Sequence, residues 1–160
     1  MRKIFIIPTI LFFILSLCSC TENNELQTAE HTYSQLGFSV SYKFPKGYSA
    51  VSSDDDPDVC IYAEDIQNKL DWSILMSVRD MNYLDFEDYK GEAAKTASDI
   101  KQKDDIWTFI YKEPQERIVM LRWFEYGKLL ILRKANDFEY DNAFEIAKTF
   151  EIDIWGNDIR

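Results

Sequence analysis

The sequence predicts an α+β domain built on a mostly antiparallel sheet of about six or seven strands, with a long middle helix and a C-terminal helix. Three observations carry this. Apolar residues alternate at period two in short segments between positions 38 and 78, as in strands with one buried face. Between positions 85 and 103 the period becomes three and four, the stripe of an amphipathic helix. Two later segments, "RIVMLRWFEY" and "KLLILRK", are apolar on both phases, which marks central strands covered on both sides.

Taken in order, the first nineteen residues have three parts: Arg2 and Lys3, a nearly unbroken apolar run over 4–17, then Ser19 ahead of Cys20. This is the layout of a signal peptide. The run of fourteen residues is short of the about 20 that a spanning helix needs, and Pro8 interrupts it. Leu17-Cys18-Ser19-Cys20 resembles the lipobox of bacterial lipoproteins: Leu, a small residue, Gly/Ala/Ser, then Cys. Cys18 departs from the small residue usual at the second place. Making Cys18 the acceptor instead would put bulky Leu17 just before the cut. The resemblance implies cleavage after Ser19, lipidation of the Cys20 sulfur by diacylglycerol, and a new amino group open to acylation by a chain such as palmitate. Two or more chains give stable anchoring, at about 0.8 kcal/mol per buried CH₂. The resemblance further implies a place in the cell envelope. In a host with two membranes, Thr21 where an aspartate would retain the protein implies the outer one.

Residues 20–35 are polar and show no convincing apolar period, so they are expected to form a lipidated, flexible tether. Such a segment reaches about 50 Å fully stretched and averages nearer ~20 Å as coil. The single domain is expected over 36–160. In "GFSVSYKFPKGY", Phe38, Val40, Tyr42 and Phe44 alternate with Ser39, Ser41 and Lys43, and Pro45 to Gly47 supply a turn. Further strands fit 48–51, 59–63 and 72–78. The helix expected over 85–103 places Phe86, Tyr89, Ala93, Ala97 and Ile100 on one stripe, with Asp85 as N-cap and Lys101 and Lys103 near the negative end of the dipole. Lys90, Glu92, Lys95 and Asp99 should then face water. Strands follow at 106–111, 118–126 and 129–133, the last two joined at Gly127. A final helix over 141–150 offers Phe144, Ala147 and Phe150 to the sheet, and "EIDIW" closes the domain as an extended piece.

The opening "LGFSVSYKFPKGY", the helix start "LDFEDYKGEAAK", the hairpin "YGKLLILRKA" and the closing "AFEIAKTFEID" resemble the PsbP-like fold. That fold is shared by a photosystem extrinsic subunit, a Ran-binding import factor and many bacterial lipoproteins. The resemblance spans 36–155 and implies a binding or assembly-assisting domain without catalytic residues or a cofactor.

The chain carries 18 basic and 28 acidic residues, a net charge of −10. Losing Arg2 and Lys3 with the signal peptide leaves 16 against 28, or −12. Such a surface repels nucleic acid and anionic headgroups, so a partner steered by charge is expected to be basic or a cation. With Cys20 lipidated only Cys60 remains, which leaves no internal disulfide. Cys60, between Val59 and Ile61, reads as a small buried residue rather than a nucleophile. His31 is the single histidine and falls in the expected tether, which takes Ser-His-Asp and Cys-His arrangements off the folded body. No histidine and cysteine set for zinc remains either.

The acidic loop "SSDDDPDV" is the one local feature suited to a cation. Asp54, Asp56 and Asp58 have the alternate spacing of a calcium loop, but the sixth position is Val59 where the turn needs Gly, and the twelfth is the short Asp65. A solvated acidic turn fits better, and no metal site is assigned. Trp72 and Trp123 share faces with aliphatic residues and read as core, with Trp155 the exception near the terminus.

These features indicate a membrane-anchored envelope lipoprotein acting as a non-catalytic binding or assembly-accessory domain, with an envelope protein as partner. One alternative is an immunity-like inhibitor whose acidic loops neutralise a basic toxin or enzyme. Another is a glycan enzyme, which requires an open cleft holding two acids about 5 to 9 Å apart.

Overall fold

The computed structural model describes residues 25–52, 57–64, 72–135 and 138–155. The expected signal peptide, Cys20, Asp54 and Asp56 lie outside the described residues. The α+β expectation holds, with the strands in two sheets rather than one. The smaller sheet holds β1 (Leu26–Tyr33), β2 (Phe38–Pro45) and β10 (Glu151–Ile154) in the order β1-β2-β10. The larger holds β3 (Tyr48–Ser52), β4 (Asp58–Ala63), β5 (Ile74–Asp80), β6 (Asp99–Lys103), β7 (Ile106–Tyr111), β8 (Arg117–Phe124) and β9 (Lys128–Lys134), ordered β3-β4-β5-β9-β8-β7-β6. Every neighbouring pair is antiparallel. Helix α1 (Tyr83–Thr96) follows β5, and α2 (Tyr140–Thr149) follows β9.

Strands β8 and β9 are apolar on both phases because two separate cores need them. On the inner face Ile118, Met120, Leu130 and Leu132 meet the small sheet and α2, along with Val40, Tyr42, Phe144, Ile146, Ala147 and Phe150. On the outer face Leu121, Leu129 and Ile131 join Phe109 and Phe86 of α1. The pleat sends successive residues to opposite sides, so residues 118–121 of β8 and 129–132 of β9 supply both layers.

Helix α2 is fastened at its negative end. Arg122 reaches from β8 and donates to the carbonyls of Ala147 (3.0 Å), Lys148 (3.0 Å) and Phe150 (2.8 Å), while its Nε pairs with Asp105 at 2.7 Å. These are among the last-turn carbonyls that a helix cannot satisfy internally, and the cation also complements the dipole. Thr149 Oγ1 ties the same end to β2 by accepting from Lys43 N at 3.0 Å.

The structure corrects two element assignments. Residues 26–33 of the expected tether form β1, paired with β2 over their whole length. Its inward positions are Gln27, Ala29, His31 and Tyr33, and Gln27 Nε2 satisfies its polarity by donating to the Tyr48 carbonyl at 2.8 Å. The long middle helix stops at Thr96, and 99–103 turn back as the edge strand β6. Asp104, at φ 57°, supports the reversal into β7, a left-handed position that aspartate tolerates better than most residues.

Gly37 makes the closest turn. Its φ is 72°, and a Cβ there would lie 2.9 Å from the Trp155 carbonyl oxygen, so only glycine lets β10 run out beside the β1–β2 turn. Among the described residues no helix is long and apolar enough to cross a membrane.

Candidate functional site

Helix α1 begins with a reciprocal cap. Asn82, not Asp85, is the N-cap: its Oδ1 accepts from Asp85 N at 2.9 Å, and its Nδ2 donates to the Asp85 carboxylate at 2.7 Å. Phe86 then reaches down to the sheet and stacks on Trp123 at 6.5 Å, while Tyr83 meets the same indole edge-on at 5.3 Å. Trp123 is held by donating its Nε1–H to the Met81 carbonyl at 3.1 Å. Lys90, expected to face water, folds under the helix with its ammonium 4.3 Å from the Trp107 ring and paired to Glu87 at 2.7 Å.

Two turns beyond Phe86, the sheet-facing position is Ala93. A methyl group cannot span the distance that a benzyl group closes, so the second half of α1 stands over a groove of about 480 Å³. Its walls are Trp72, Tyr89, Ala93, Tyr111, Val119 and Leu121. Among the described residues its charged side chains are Arg117, Arg133 and Lys134, and none of the described lining residues is acidic. The β8–β9 register sets Val119 opposite Arg133 and Ile118 opposite Lys134. Arg117 lies with its guanidinium 5.4 Å from the Tyr111 ring. Among the described residues neither Arg117 nor Arg133 has an ion-pair partner, although most other cations do. Burial raises the Tyr111 phenol above its ordinary pKa, so it stays neutral at physiological pH.

The charge of this groove differs in sign from that of the whole chain. A partner steered by charge was expected to be basic or a cation; the groove beneath α1 carries the cations Arg117, Arg133 and Lys134. Trp72 lines that groove rather than the core, and Trp155 is exposed as expected.

The chain is similar to cyanobacterial PsbP (CyanoP) from Synechocystis sp. PCC 6803, known from a solution structure, with 14% identity, 86% of this chain and 99% of that chain covered, and a TM-score of 0.40. No family model and no curated protein matches the chain. The α+β assignment rests on the strand order and the two helices described above.

His31 sits on the folded body, not on a tether. Its Nδ1 lies 2.9 Å from Ser52 Oγ and its Nε2 lies 3.0 Å from Tyr42 OH, with the imidazole stacked on the Tyr42 ring. Contrary to its expected place in a tether, the single histidine therefore stands beside a serine on the domain. The arrangement nonetheless joins the imidazole to two hydroxyls and to no carboxylate, and neither His31 nor Ser52 lines any of the three cavities described here. Burial lowers the His31 pKa and raises that of Tyr42 well above the usual phenol value. A neutral ring then donates from one nitrogen and accepts at the other, which bridges the small sheet to the edge of the large one.

Asp58, the calcium candidate that lies among the described residues, heads β4 and pairs with Arg79 at 3.1 Å. Among the described residues no cluster of three His, Cys, Asp or Glu could hold a metal ion. Cys60 is half-buried rather than core, because Val59 and Ile61 take the inward phase of β4. Two smaller cavities, of about 340 and 240 Å³, hold one carboxylate each, Glu151 and Asp80. None of the three offers the pair of acids that a carboxylate glycosidase needs.

Proposed function

We propose that the protein is an envelope lipoprotein, anchored through lipid on Cys20 and sited in the outer membrane where the host has two, whose domain works by binding rather than by catalysis. The observation that carries the binding role is α1. This helix of 14 residues buries only Phe86, leaves Tyr83 and Leu84 exposed at 54% and 76%, and covers an apolar groove with its other half. A structural helix would bury such residues; a helix that presents them is suited to a partner. Anchoring is supported by the Leu17-Cys18-Ser19-Cys20 motif alone. An envelope protein remains the expected partner, and an assembly-accessory role fits a domain held near the bilayer. The inhibitor reading keeps the overall acidity as its support and gains nothing from the groove, whose polar side chains are cations.

The test has two arms. Mass spectrometry of the native protein is expected to find a chain starting at a diacylglyceryl Cys20, and an unmodified thiol there would remove the anchor. Crosslinking in native membranes is expected to recover a specific protein whose yield falls at least fivefold in Leu84→Glu. Recovery unaffected by that substitution would move the binding surface away from α1.

A further inference from the structure

The groove's chemistry narrows its ligand. It rests on the reading of this domain as a binding module, and we infer that the groove beneath the second half of α1 takes a single acyl chain carrying an anionic head, with the chain along Trp72, Tyr111 and Leu121 and the head at Arg117 and Arg133.

Each part of the site excludes a simpler occupant. An uncharged apolar molecule would leave two guanidiniums unused, though both lack ion-pair partners among the described residues. A small hydrophilic anion would leave the aromatic and aliphatic walls in contact with water. An extended peptide would bring its own amides over walls that offer no backbone partners, because the groove lies on a sheet face and not at a strand edge; unsatisfied amides oppose burial there. An acyl chain has no such groups. The groove's volume of about 480 Å³ falls within the roughly 300–1,000 Å³ of small-molecule sites. Charge supplies orientation, since Arg117 and Arg133 lie on neighbouring strands and no acid stands among the described lining residues.

The head can be the carboxylate of a free fatty acid or the phosphate of a single-chain lysophospholipid, and the test separates them. The full chain, held in nanodiscs of neutral phosphatidylcholine, is titrated with decanoate and separately with decanoyl lysophosphatidylglycerol, each below its micelle concentration, reading tryptophan emission. A saturable change with at least one amphiphile is expected. It should vanish in Trp72→Phe and shift to at least tenfold higher concentration in the Arg117→Gln, Arg133→Gln double variant, which replaces two exposed side chains and should keep its melting temperature. Response to decanoate alone assigns the free acid; response to the phospholipid alone assigns the phosphate head. Decyltrimethylammonium, with the same chain and opposite charge, should bind at least tenfold more weakly. Equal binding of cation and anion, an unshifted midpoint in the double variant, or silence in both arms overturns the inference. Silence in both arms alongside α1-dependent crosslinking would overturn this ligand class and leave the binding domain standing.

Discussion

The two faces of the large sheet are covered by helices that behave differently. On the inner face, α2 inserts Ala143, Phe144, Ile146 and Ala147, all buried, and is fastened by Arg122. On the outer face, α1 inserts Phe86 fully, lays Lys90 over Trp107, and then stands off the sheet above a groove. Both helices follow a strand and end near one. The difference is side-chain volume: an aromatic and an isoleucine facing the sheet on α2, against Ala93, Ala94 and Ala97 along the later turns of α1. One face is built for stability, and the other keeps unfilled space.

That comparison is sharpened most by truncation of a core aromatic on each face. Phe144→Ala should cost about 3–5 kcal/mol, the range for a packed phenylalanine whose site cannot collapse. Phe86→Ala should fall at or below the low end of that range, because α1 already borders open space and can settle. Chemical denaturation of both variants measures this, and equal losses would mean that the outer face is packed as tightly as the inner.

The next effect in size concerns the clamp on α2. Arg122→Met keeps the aliphatic stem and removes the donors to three carbonyls, with an expected loss of about 2–3 kcal/mol. The exposed ion pair with Asp105 contributes little of that, so Asp105→Asn should change the melting temperature only slightly. Comparable losses in the two variants would transfer the role from the carbonyl clamp to the salt bridge.

The smallest effect lies at the seam between the sheets. The folded pKa of His31 lies below its ordinary value of 6.5 because burial disfavours the charged ring. The unfolded chain therefore binds the proton first as pH falls. The contribution of the neutral bridge is complete above about 6.5 and is lost between that value and the lower folded pKa. Thermal melts of wild type and His31→Gln should accordingly differ most near pH 7.5 and converge towards pH 5. A constant difference across that range would mean that His31 is not titrating as described.

Much of the fold was legible because burial wrote it into the pattern. Phe38, Val40, Tyr42 and Phe44 alternate since one face of β2 meets the core, and β8 and β9 are apolar on both phases since each serves two cores. Strand β1 was hidden because two of its inward residues, Gln27 and His31, are polar and satisfied by hydrogen bonds; period two persists there without hydrophobicity. Strand β6 was hidden because it is an exposed edge, where Ile100 happens to continue the helical spacing of Phe86, Ala93 and Ala97. Lysines suit such an edge by discouraging further pairing. The turn residues Asp104 and Asp105 were the available signal for it.

The groove was less legible still. Its cations come from separate strands, and only the register about Gly127 sets Val119 opposite Arg133. Two clues were present: an arginine on the outward phase of each central strand, and a helix whose stripe passes from Phe86 to Ala93. Total charge concealed both, since 28 acids determine the sum while none is among the described lining residues.

The central claim, that the space beneath α1 is kept open for a ligand, is tested most directly by filling it. Ala93→Leu adds apolar volume facing Val119 and Leu121 and should leave the melting temperature unchanged or raised, while the saturable tryptophan response to decanoate or decanoyl lysophosphatidylglycerol disappears. A stable Ala93→Leu protein that still gives the wild-type response at the wild-type midpoint would contradict the account.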